Sequence, residues 1–107
     1  MNKKFYLSEQ VHFAQRLSLL LQSGIPLIEC LSMMRNVENS AIRKKSYSNM
    51  IEGIQQGVSL SKSIRNSGVV FNNILIALIR NGESSGHLSD ALYQAYIYAG
   101  HTTHGYL

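Results

Sequence analysis

Three features of the 107-residue sequence predict an all-α fold, a compact six-helix antiparallel bundle. Apolar residues recur at helical spacing along most of the chain, glycine and the single proline fall mostly where that pattern stops, and the connections between patterned stretches are short. The apolar fraction of 45% is ordinary for a globular domain, and the length supports one modest core rather than two.

The first helix is expected over about residues 8 to 23. Phe13, Leu17, Leu20 and Leu21 line one face at i, i+4, i+7 and i+8, with Gln15, Arg16, Ser18 and Gln22 opposite. Ser8 suits the N-cap and Gly24 the C′ position. Pro26 fits the first turn of a second helix carrying Leu27, Ile28, Leu31 and Met34, because its missing N–H costs nothing there. The polar stretch 36–40 interrupts the pattern, after which Tyr47, Met50, Ile51 and Ile54 mark a long third helix running to Gly57. Ser59 is placed to cap a short fourth helix with Leu60 and Ile64, ended by Asn66, Ser67 and Gly68. Phe71 is expected to open the fifth, with Ile74, Leu75, Leu78 and Ile79. The stretch 81–86 then reads as a two-glycine turn in which Ser84 and Ser85 accept from the first N–H groups of the sixth helix. That helix shows Leu88, Ala91, Leu92, Ala95 and Ala99 on one face, small enough for a neighbour to approach closely.

Composition narrows the chemistry. Of the six carboxylates, Glu9, Glu29, Glu38, Glu52, Glu83 and Asp90, only the last two lie near each other with a glycine-rich turn between them, so no catalytic residue is expected. Asp90 suits the first turn of a helix, where it complements the dipole. Glu83 stays open between closing onto backbone N–H groups of its own turn and touching a partner. On the partner reading, Glu83→Ala leaves the helical fold largely intact. His101 and His104 sit at i, i+3 without a third ligand, His12 reads as a surface or boundary side chain, and His87 opens a helix, so neither metal nor cofactor is expected. A cation held by oxygens around Glu83 is the minor alternative. The single Cys30 forbids an internal disulfide and reads as core.

The net charge is +4, with Arg43, Lys44 and Lys45 opening the third helix and Lys62 and Arg65 on the fourth. Such runs are solvated faces or contacts for anionic headgroups or an acidic protein. A recognition helix for DNA built on Arg43, Lys44, Asn49 and Gln55 is disfavoured, because the charges cluster at one end without aromatic stacking partners. No run approaches the roughly 20 apolar residues of a membrane span. The expectation is therefore a soluble domain over 1–100 and a tail, 101–107, that has the look of an appended expression scar.

Three helix breaks stand in a fixed order: Gly24-Ile25-Pro26-Leu27, Gly57-Val58-Ser59-Leu60-Ser61 and Gly82-Glu83-Ser84-Ser85-Gly86-His87-Leu88, with Phe71 between the last two. This ordered set resembles the first cytoplasmic domain of the type II secretion F-protein and type IV pilus inner-membrane platform family, over almost the whole chain. The resemblance implies a non-enzymatic scaffold that couples an assembly ATPase to pilin extraction and polymerisation, at the cytoplasmic face of a bacterial inner membrane. It implies a parent with membrane-spanning helices and a second similar domain, self-association, contacts with other inner-membrane components, and no nucleic acid. The family positions fall on Gly24, Pro26, Gly57, Ser59, Leu60, Ser61, Phe71, Gly82, Glu83, Ser85, Gly86 and Leu88. Asn72 stands where that pattern has proline, which leaves the start of the fifth helix to a cap rather than a ring. The candidate partner contacts are Glu83, Arg43, Lys44, Lys45, Lys62 and Arg65.

Overall fold

The computed structural model describes residues 7–104, with side chains from 8 to 100. Six helices follow one another: α1 (Leu7–Gln22), α2 (Leu27–Asn36), α3 (Ala41–Gln55), α4 (Leu60–Asn66), α5 (Asn73–Ser85) and α6 (Leu88–His104). Each packs on the next, and α6 returns to α1 to close a ring measuring 40 × 35 × 22 Å. Among the described residues there is no strand, and no helix is long and apolar enough to cross a membrane. The periodic apolar residues meet inside the ring: Phe13, Leu17, Leu31, Met50, Ile64 and Leu92 are all fully buried, each contributing about 1.5–3 kcal/mol of transfer free energy. Cys30 is buried with them, its thiol donating to the Ile25 carbonyl at 3.3 Å and pushed up in pKa first by that burial.

Helices α1, α3 and α5 end in the same way. A glycine at positive φ (Gly24, Gly57, Gly86) follows the last turn, and the N–H of the next residue bonds five residues back, from Ile25 to Leu20, Val58 to Gly53 and His87 to Gly82. A side chain at that φ is strained, which is why the breaks carry glycine.

Several expectations need correction. The stretch 81–86 is not a turn, because α5 continues through Ser85 and only Gly86 leaves the helix. Ser84 and Ser85 cap nothing ahead of them: their hydroxyls donate backward to the Arg80 and Gly82 carbonyls. Phe71 lies before α5, which opens at Asn73 under the Asn72 side chain, an acceptor for Ile74 N and Leu75 N. The Phe71 ring instead sits edge-on to Phe13 of α1 at 5.2 Å. Pro26 stands just ahead of α2 rather than in its first turn, and Ser8 lies inside α1. Ser18, assigned to the polar face, is fully buried and donates to the Ser89 carbonyl of α6 at 3.0 Å. Of the tail expected over 101–107, residues 105–107 and the side chains of His101 and His104 lie outside the described residues.

The alanine face of α6 does admit a close neighbour. Leu92, Ala95 and Ala99 are fully buried, and α6 lies mainly against α1 and α5. At the α5–α6 corner Gly82 is buried so tightly that a Cβ there would overlap the Ala91 Cβ and come within 3.2 Å of the His87 carbonyl oxygen. Gly82→Ala is therefore expected to cost about 1–3 kcal/mol in chemical denaturation, even though alanine is the better helix former. Adding Ala91→Gly is expected to restore part of that loss. Purely additive losses in the double variant would show that the two residues do not meet.

Candidate functional site

The second and third helix breaks converge on one carboxylate. Glu83, half-buried on α5, reaches across to the first turn of α4, where Oε2 accepts from Leu60 N while Oε1 accepts from Ser61 N at 3.2 Å and from the Ser61 hydroxyl at 2.8 Å. Ser59 is the local cap: its hydroxyl accepts from Lys62 N at 3.2 Å and lies 3.3 Å from the Ser61 hydroxyl. A negative charge at a helix start is favoured twice, by hydrogen bonds to otherwise orphaned N–H groups and by the dipole. Glu83 thus does close onto backbone, as one sequence reading held. The backbone is that of a different helix, 22 and 23 residues away, and not of its own turn.

Beside this contact runs a groove of about 640 Å³ between α4 and α5, lined by Ser59, Ser61, Lys62, Arg65, Asn66, Ile76, Arg80, Glu83 and Ser84. Lys62 and Arg65, both named from the sequence, lie on it together. Arg80 was missed; the available signal was its spacing, four residues after Ile76 and three before Glu83 on one helix face. Lys62, Arg65 and Arg80 are exposed and have no carboxylate partner among the described residues.

The other basic residues lie elsewhere. Arg43 is half-buried and paired twice, with Glu9 of α1 at 2.6 Å and with Glu38 ahead of α3 at 2.9 Å. It braces the ring from within, while Lys44 and Lys45 point to solvent. Tyr47, 4% exposed beneath that brace, has its phenol pushed well above the usual range, first by burial and then by Glu38. The first break, Gly24 to Leu27, sits at the α1–α2 corner and contributes nothing to the α4–α5 groove. Among the described residues no three of His, Cys, Asp and Glu come together.

Comparison with known proteins agrees with the motif reading. A family profile described as type II secretion system (T2SS), protein F matches residues 13–100, a span that holds every motif position from Gly24 to Leu88. A type II secretion system protein F of Pseudomonas aeruginosa is 29% identical over 85 residues, covering 79% of this chain and 21% of its own length. The type IV pilus assembly protein PilC of the same organism is 29% identical over 87 residues, covering 81% and 23%. A type II secretion system protein F of Vibrio cholerae is 33% identical over 86 residues, covering 79% and 21%. The chain therefore spans about a fifth of the length of the curated relatives it matches.

The geometry argues against the expectation that removing the Glu83 carboxylate would leave folding largely intact. Glu83→Ala strips acceptors from two backbone N–H groups and one hydroxyl, and is expected to cost about 2 kcal/mol. Amide exchange at Leu60 and Ser61 should accelerate more than in α2. Glu83→Gln, which keeps one acceptor, should fall between. A denaturation midpoint unchanged by Glu83→Ala would show that the carboxylate does not hold α4.

Proposed function

The chain belongs to the family of type II secretion system protein F, and from that membership we propose that it serves as a non-enzymatic scaffold and interaction domain of an inner-membrane platform for type II secretion or type IV pilus assembly. Its role is to couple an assembly ATPase to pilin polymerisation from the cytoplasmic side. The observation that carries this reading is how the motif residues are used. Gly82 and Glu83 hold α6 and α4 against the two sides of α5, so the motif builds a rigid body rather than a reaction centre. A ring of six helices closed on itself moves as one piece, which is what transmission of motion between partners requires. Contacts with the ATPase, with pilin, with other inner-membrane components and with a second copy belong to this reading.

The test is capture of the matching assembly ATPase by the purified domain, with Lys44→Glu/Lys45→Glu as a surface variant that leaves the Arg43 brace intact. Capture by the wild-type chain is expected, weakening as salt rises, since exposed charges screen within about 8 Å at physiological ionic strength. Replacing residues 13–100 in the full-length parent by an unrelated helical domain is expected to abolish pilus assembly or secretion. A parent that assembles normally after that replacement would overturn the reading.

A further inference from the structure

The groove between α4 and α5 is built from two facing stripes. Lys62, Arg65 and Asn66 stand at i, i+3 and i+4 on α4, while Ile76, Arg80 and Ser84 stand at i, i+4 and i+8 on α5. Ile76, 3% exposed, supplies an apolar floor between the cations. We infer that this groove is a docking surface for an acidic segment of a protein partner, seated with carboxylates against Lys62, Arg65 and Arg80. The inference deepens the reading above and rests on it only for the partner being a component of the same machinery.

The arrangement selects a carboxylate-bearing segment over a free phosphate. Phosphate is held best by converging backbone N–H groups, and those at the start of α4 are already taken. Leu60 N and Ser61 N donate to Glu83, Lys62 N to the Ser59 hydroxyl and Ser63 N to the Ser59 carbonyl. What remains for a ligand is three cations on long side chains, set apart along two helices, which suits several carboxylates spaced along one chain. A flat layer of lipid headgroups fits a groove between two helices poorly. A single ridge of side chains lies along such a groove. The chain's own acids do not compete: Glu9 and Glu38 are bound to Arg43, and Glu83, the only acid lining the groove among the described residues, is bound to α4.

The probe is a labelled synthetic helical peptide with glutamates at i, i+4 spacing, read by fluorescence anisotropy against its glutamine counterpart. Lys62→Glu/Arg65→Glu changes exposed side chains only, and its circular dichroism is expected to match wild type. It is expected to weaken acidic-peptide binding about tenfold, the sum of two reversed surface pairs. Lys44→Glu/Lys45→Glu carries the same change in net charge and should leave binding within about threefold of wild type. A lysine version of the peptide should bind the reversed groove. Equal losses in the two variants, or no preference for glutamate over glutamine, would overturn the inference. So would retention of acidic-peptide binding by Lys62→Glu/Arg65→Glu while binding to phosphatidylglycerol vesicles is lost. Peptide binding at this groove without ATPase capture supports the docking surface and removes the ATPase as partner; ATPase capture without peptide binding overturns the docking surface.

Discussion

The bond from Glu83 to the first turn of α4 is the constraint on which the arrangement of the ring depends. At seven residues, α4 has fewer than two turns and cannot hold itself as a helix in water, where even stretches about twice as long are marginal. Burial of Leu60 and Ile64 fixes its apolar side. Burial alone does not set the direction in which so short a helix points. Two hydrogen bonds from its N-terminal backbone to one carboxylate on α5 do, because they are directional and charge-assisted. With α4 joining α3 to α5, its direction decides whether the ring closes.

The neighbouring residue explains why the motif is a glycine followed by a glutamate. Successive residues of a helix point about 100° apart, so Gly82 and Glu83 address different neighbours from the same turn of α5. Gly82 meets Ala91 and the start of α6; Glu83 meets the start of α4. A second small-residue contact repeats the device at α3 and α4, where a Cβ on Gly53 would come within 2.5 Å of the Ser63 hydroxyl oxygen. Short helices packed this closely draw their stability from dense contact rather than from large side chains.

Much of the fold was legible because periodicity and punctuation agree: the six helices and the face of α6 made of Leu92, Ala95 and Ala99 follow from spacing alone. The misreadings share a cause, which is that local chemistry was taken to act locally. Asn81-Gly82-Glu83-Ser84-Ser85-Gly86 has the composition of a turn, yet the first five residues stay helical because Gly82 is required by α6 and Glu83 by α4, both distant in sequence or invisible to it. Ser18 reads as a solvent residue by its spacing, but it is buried and donates to the Ser89 carbonyl of the neighbouring helix α6. Arg43 reads as one of three free cations, and only the fold shows that Glu9 and Glu38 close on it. Nothing in a one-dimensional pattern reports a partner that arrives from another helix.

The same logic separates the residues that identify the chain from those that present a surface. The glycines, Ser59, Ser61 and Glu83 are engaged inside the molecule, in helix ends, caps and close approaches. By taking the Leu60 and Ser61 N–H groups, Glu83 also occupies the backbone donors that would otherwise face the groove, which leaves Lys62, Arg65 and Arg80 as its exposed cations. None of these three belongs to the motif. On the proposed scaffold role, the groove residues are free to vary without disturbing the internal contacts, since exposed charges away from such contacts alter stability by only about 0.5 kcal/mol. Arg43 marks the limit of that freedom, because it is a basic residue of the same helix end as Lys44 and Lys45 and yet part of the frame.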